Sequence, residues 1–461
     1  MITRSNTFLC AELYLLLPIL FWLCGWFQPW LAYPLAALLL AAAAWHVYQV
    51  RFLTSIDNPP ADEKSISSWH LIVYILLSAA AVLLIGLDGR VVQSYDLVVR
   101  NPLYDEIVRQ EWPVRMPDGR YVVYALMYWL PAGLLSTWFP SLSQVFLQLW
   151  ILLGMVLICL TLHFKLGLWR TLFFWGSILC FSPLTGTVDD VLNTVFIKDA
   201  IMGVHFRMPS PLTQFFNTFH YFIPTCLFLA VTMTVKCSIG RLVVLSSCYA
   251  VLHPMVAATA IPFLAVKVYR EHLSQGLAVG LKNILRAPEL YPSMVLVVLS
   301  MVFYFSVSGC WFAFTFNTPY APPLGLASMA VCFIAIILTM LLPLAVYWYH
   351  RDVRLVITAC LCPLLLLVWY GANNGVNEWL YKFSVLYGFF VAYGMASARR
   401  FPALYALIGL LAATSVIPFL REMKRKNLPA QLDSFSLCRK RISSMHGRGR
   451  YTNPRMICMG S

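Results

Sequence analysis

Three polar patches interrupt an otherwise apolar chain, and their side chains are of kinds that could do chemistry together. The first holds Asp96, Arg100 and Asp105, in a segment from 88 to 120 that carries eleven charged side chains. The second, from 182 to 214, holds Asp189, Asp190, Lys198, Asp199, His205 and Arg207; the third, from 371 to 384, holds Asn373, Asn374, Asn377, Glu378 and Lys382. A loop carboxylate at a membrane face can act as general base toward a sugar hydroxyl attacking an anomeric carbon. A nearby Lys or Arg, or a divalent cation held by Asp96 and Asp105, can stabilise a departing phosphate as its charge grows.

Each group also has a plainer reading. Asp105 with Arg109, and Glu378 with Lys382, stand four residues apart and fit ordinary helix-surface ion pairs. His220, in FHYFIP, fits a hydrogen-bonded histidine at the start of a span. Glu12 lies near the start of the first apolar run, which places it at the headgroups rather than at the bilayer centre, where a charge is costly.

The elements that must position these residues are membrane spans. The chain has 461 residues, 60% hydrophobic and 11% charged, with a mean hydropathy of +0.74. Soluble domains carry roughly 25% charged residues, so the composition indicates an all-α polytopic membrane protein. Apolar runs long enough to cross the hydrocarbon layer fall near 8–27, 30–50, 69–87, 121–138, 142–164, 169–184, 215–235, 241–268, 291–311, 324–346, 353–371, 380–397 and 402–419. They make about 11 to 13 transmembrane helices, within a membrane domain at 1–420 followed by a basic tail at 421–461. The first run lacks a small-residue cleavage site and reads as a retained span. An odd count from a cytoplasmic start would export the basic tail, against the positive-inside rule, so the short run 169–184 is read as re-entrant or split. His253-Pro254 interrupts another run.

Within 88–120, Asn101-Pro102 supplies an N-cap and a proline at the first helical position. Leu103 with Ile107 and Tyr104 with Val108 then give one apolar face, which predicts an amphipathic helix lying at the interface. Three crossings from a cytoplasmic N-terminus put this loop outside. The tail holds ten Lys/Arg and two Asp/Glu, a local charge of +8 out of the total +14. It fits membrane lipid headgroups and topology rather than nucleic acid, because no basic fold with interleaved aromatics accompanies it. Most of the thirteen cysteines lie in apolar runs without metal-ligand spacing. Phosphate-binding, zincin, nucleophile-elbow and dinucleotide motifs are absent.

The run DLVVRNPLYDEIVRQEWPV, followed by YVVYALMYWLPAGL, resembles a motif of bacterial multi-spanning envelope proteins. MPSPLTQFFNTFHYFIP and NEWLYKFSV are similar to two later blocks of the same proteins, in the same order. Their organisation is similar to the GT-C class of glycosyltransferases. The resemblance implies transfer of a sugar from a polyprenyl-phosphate-linked donor to an envelope glycan or lipid acceptor, in the bacterial inner membrane. It implies that Asp96 or Asp105 is the base or a metal ligand, and that Arg100 and Lys382 hold the phosphate. It also implies that His220 and Glu378 orient the acceptor, and that Trp112, Tyr121, Tyr124 and Tyr128 pack on sugar or prenyl groups. Arg100 stands where Lys or His is usual, and Glu378 and Lys382 replace Asp and Arg. Lys lacks the bidentate fork that Arg offers a phosphate. A transporter or flippase of a lipid-linked substrate, a polymerase or ligase of surface glycans, and an inactive scaffold are the alternatives.

Overall fold

The computed structural model describes residues 2–49, 65–85, 87, 95–115, 122, 126–180, 211–274, 276–305 and 378–397. A helix begins at Arg4 because Thr3 caps it, its hydroxyl accepting from the Asn6 amide at 3.3 Å. This helix, α1 (Arg4–Trp26), turns at Gln28 into α2 (Pro29–Tyr48), whose proline occupies the first turn. A two-residue antiparallel pairing of β1 (Ile2–Thr3) with β2 (Ser65–Ile66) returns the chain to the same end, where α3 (Ser68–Ile85) starts.

Then come α4 (Tyr95–Arg109), α5 (Leu130–Trp138), α6 (Ser143–Leu166), α7 (Leu168–Cys180) and α8 (Pro211–Thr234). The remaining helices are α9 (Ile239–Leu252), α10 (Pro254–Thr259), α11 (Ile261–Val268), α12 (Leu277–Arg286), α13 (Leu290–Phe305) and α14 (Glu378–Ser397). The described residues thus form an all-α membrane protein. Four of its helices are long and apolar enough to cross a bilayer: α1, α2, α3 and the stretch Pro140–Leu166 containing α6; α12 with α13 makes a fifth if that bent pair is one span. The predicted spans at 324–346, 353–371 and 402–419, the polar segment 182–210 and the basic tail lie outside the described residues.

The core is aromatic. Tyr14 of α1 stacks on Trp150 of α6 at 4.0 Å between ring centroids, and its hydroxyl bonds Tyr128 at 2.9 Å. On the outside, Leu76, Leu83, Leu84, Leu149, Leu153 and Val298 are exposed, an apolar surface that suits lipid.

Two stretches predicted as single crossings instead enter and return. Val122 donates its amide to the Val114 carbonyl at 2.9 Å beside the end of α4, and Ser136 lies 3.0 Å from the Tyr104 hydroxyl of the same helix. Both flanks of 122–138 therefore sit at one end, while Tyr128 reaches Tyr14 inside the bundle. A nine-residue helix is too short to cross, which is why α5 returns. The run 241–268 does the same from the opposite end. The α9 helix starts where α8 finishes, breaks at His253, and comes back through α10 and α11 until Lys267 Nζ lies 2.6 Å from the Thr232 carbonyl near the end of α8. Pro254 lacks an amide hydrogen, and His253 takes a non-helical conformation, so the break is local in origin. The helix α7, in the run read as re-entrant or split, is described for 13 residues, and the rest of that run lies outside the described residues.

The two ends differ in charge. At the end holding the N-terminus, the described residues include nine basic groups (Arg4, Lys165, Arg170, Lys236, Arg241, Lys267, Arg270, Lys282 and Arg286) and three acidic ones (Glu12, Glu271 and Glu289). At the other end are four basic residues (Arg100, Arg109, Arg115 and Lys382) and five acidic ones (Asp96, Asp105, Glu106, Glu111 and Glu378).

Glu12, which its position puts near the headgroups, is enclosed by protein. It is 2% exposed, two turns into α1. His46 Nδ1 of α2 lies 2.6 Å from Glu12 Oε1, and Arg241 Nε of α9 donates to Oε2 at 3.0 Å. Glu289, just before α13, places its carboxylate 3.6 Å from His46 Nε2. These four groups clamp four helices at the basic end. Sequence position could not reveal it, because the partners come from 34 and 229 residues away.

The predicted amphipathic helix is α4, with Leu103, Tyr104, Ile107 and Val108 turned inward and Glu106 and Arg109 exposed. It starts at Tyr95 and not at Asn101, so Asn101-Pro102 is no cap but lies inside the helix, where the proline removes one amide donor from the ladder. Burial pushes the Tyr104 phenol up to about 12, with Ser136 pulling it down and Asp105 raising it. The neutral phenol is thus the form that folding favours, so its stabilisation holds below the ordinary pKa near 10 and is lost as pH rises toward 12. Thermal melts of the detergent-solubilised protein should fall between pH 10 and 12, and Tyr104→Phe should flatten part of that fall.

Candidate functional site

The two re-entrant segments approach one another inside the bundle. Trp129, at the inner tip of the first, lies 5.2 Å from His220 between ring centroids; His253, at the tip of the second, lies 6.1 Å from His220. Tyr221 presents its edge or face to His253 at 4.7 Å, and Lys382 Nζ lies 4.1 Å from the centre of the Tyr221 ring. His220, His253 and Lys382 are 3%, 9% and 7% exposed, so three basic side chains surround one buried phenol.

Local structure explains the placement. Thr218 breaks α8, with φ −144° and ψ 41°. Its hydroxyl lies 2.8 Å from the Gln214 carbonyl and 2.6 Å from Gln214 Oε1, offering that turn an alternative to the helical ladder. Tyr221 donates to the same Oε1 at 2.6 Å, which fixes the ring that Lys382 covers. Lys382 arrives one turn into α14, which packs against α8 and α7. A cation over an aromatic face is attracted by the ring quadrupole, more strongly where water is excluded.

The structure brings together His220 and Lys382, two of the predicted residues. Asp96 and Arg100 lie on the first turns of α4, and Glu378 opens α14; their side chains lie outside the described ones. Asp105 is half-buried on α4, which packs against α8. Trp112 packs within the protein: its indole Nε1 donates to the Ile107 carbonyl at 2.9 Å, and its ring lies 5.7 Å from that of Trp26. A Cβ on Gly25 would stand 3.0 Å from the Trp112 ring, and one on Gly133 would stand 2.8 Å from Ile107, so two glycines let α1 and α5 close around this corner. Tyr128 is buried with its hydroxyl on Tyr14, and Tyr121 and Tyr124 lie outside the described residues. Among the described residues no three His, Cys, Asp or Glu side chains gather as a metal centre, and Asp96, a proposed ligand, is not among the described side chains.

Sequence reasoning missed His253, Tyr221 and Gln214 as members of the site. The signal was present in part, since His253-Pro254 marks a break inside an apolar run, where an unwound polar segment points to a binding site.

Chemically, the cluster can hold an anion and move a proton. Lys382 supplies a compact charge with three donors, and each imidazole can donate or accept. Comparison with protein-family models, curated proteins and solved structures finds no match.

Proposed function

We propose that this membrane protein is a glycosyltransferase, organised like the GT-C class, that moves a sugar from a polyprenyl-phosphate-linked donor to an envelope glycan or lipid acceptor. The observation that carries the reading is the meeting of His220 and Lys382 on one buried Tyr221 ring, although they stand in separate sequence blocks. Each stands in one of the blocks that carry the resemblance to envelope proteins.

On the positive-inside rule the end with nine basic residues faces the cytoplasm. That puts α4, with Asp96 and Asp105, on the opposite face, where a bacterial inner-membrane enzyme meets a lipid-linked donor. In this reading Asp96 or Asp105 takes the proton of the acceptor hydroxyl as its oxygen bonds the anomeric carbon. The bond from that carbon to the phosphate oxygen breaks, and Arg100 and Lys382 stabilise the departing polyprenyl phosphate. Glu378 and His220 orient the acceptor. A divalent cation, if the enzyme uses one, would sit at Asp96 and Asp105.

Membranes bearing Asp96→Asn or Asp105→Asn protein, inserted at wild-type levels, should differ in transfer from a radiolabelled polyprenyl-phosphate sugar. The variant that removes the base should lose on the order of 10²-fold or more. Unchanged transfer in both would refute the mechanism.

A second reading has its own observation. Helices broken inside the bundle and entering from opposite ends are the arrangement by which transporters place substrate sites near mid-membrane. A flippase of a lipid-linked glycan would move its substrate across proteoliposomes without consuming it, and a transferase would release polyprenyl phosphate.

A further inference from the structure

The stretch between Val268 and Leu290 escaped the reading of spans, yet it forms the most strongly amphipathic helix among the described residues. In α12, Leu277, Leu281, Ile284 and Leu285 share one side at helical spacing, and Lys282 and Arg286 share the neighbouring side. Leu277 is 62% exposed and Leu285 59%, with Leu281, Lys282 and Arg286 also exposed. Gly280 is the buried exception. A Cβ there would stand 2.6 Å from the His272 carbonyl and would meet the Leu273 side chain, so glycine lets α12 lie close on the turn Tyr269–Leu273.

Three features of the fold identify what covers the apolar side. The helix α12 meets the apolar α13 at 76°, so it runs across the bundle end while α13 runs along the bundle. Tyr291, Met294, Val295 and Val298 of α13, the next helix in the chain, are exposed as well, an apolar surface that suits lipid. Finally, Lys282 and Arg286 belong to the basic end of the molecule. A helix of this pattern at a membrane edge lies in the interface, its leucines among the acyl chains and its cations at headgroup level.

We propose that α12 is a docking site for anionic phospholipid headgroups, with Lys282 and Arg286 as the residues that select the charge. The leucine side supplies depth, and the basic side supplies preference for anionic over zwitterionic lipid. The inference is independent of any transfer activity.

The test uses the full chain in nanodiscs of phosphatidylcholine with or without phosphatidylglycerol. Leu281 is replaced by p-acetylphenylalanine and spin-labelled, which leaves the native cysteines untouched. In discs containing phosphatidylglycerol the label should be more accessible to oxygen than to an aqueous nickel chelate. Lys282→Glu with Arg286→Glu should lower the phosphatidylglycerol retained by the purified protein on the order of tenfold, with the melting temperature unchanged because both side chains are exposed. A label at 281 open to the nickel chelate in every disc would overturn the proposal. So would unchanged phosphatidylglycerol retention in the charge-reversed protein, which would leave α12 an apolar anchor without lipid preference.

Discussion

Replacing Glu12 with alanine should cost about 3 to 5 kcal/mol of stability, the range for breaking a buried ion pair from one side. The carboxylate is 2% exposed and serves two partners, His46 at 2.6 Å and Arg241 at 3.0 Å. Without it, a guanidinium stays buried with its main counter-charge gone, at the place where α1, α2 and α9 meet. Removing both charges should be milder than removing one. Glu12→Ala combined with Arg241→Met should therefore melt above Glu12→Ala alone, a non-additivity expected of groups in one network. Melting of the detergent-solubilised variants measures this directly. If Glu12→Ala melts within a degree or two of the wild type, the cluster does not hold the helices together.

The second large effect is at Lys382. Its ammonium lies 4.1 Å from the centre of the Tyr221 ring, which His220 and His253 also contact, and the side chain is 7% exposed. A charge held there before reaction requires little reorganisation when a phosphate departs, so Lys382→Met should cut sugar transfer by about 10² to 10³-fold. Methionine keeps most of the stem volume, and its melting temperature separates a lost charge from a lost fold. Lys382→Arg should retain part of the activity, since it keeps the positive charge. His253→Asn should also lower transfer, although neither the resemblance nor the spacing marked it. Full activity in Lys382→Met would remove the cationic cluster from the mechanism and favour a transport role.

These effects rest on groups that were legible to different degrees. The membrane class, the helical architecture and the apolar face of α4 follow from residue type at short range: apolar runs, and leucine and tyrosine spacing on one face. The break at His253-Pro254 was equally local. The start of α4 does not follow in this way, since Asn101-Pro102 reads as a capped start and the helix begins at Tyr95. Run length alone, however, counted 121–138 and 241–268 as crossings, because hydropathy records whether a segment is apolar and not whether it returns. The returns are visible only in long-range contacts such as Val122 to Val114 and Lys267 to Thr232.

The sequence by itself determined that this chain lives in a membrane, that it is helical, and which polar residues stand at the edges of its apolar runs. Each of those properties depends on neighbours a few residues away and on the cost of exposing apolar or backbone groups to the wrong solvent. Only the tertiary structure decided that Glu12 is a buried counter-ion, that α12 lies flat on the basic end, and that His220, His253 and Lys382 surround one tyrosine. A side chain's charge is written in its residue type, but what that charge faces is set by helices that meet through packing, and packing partners here come from more than a hundred residues away.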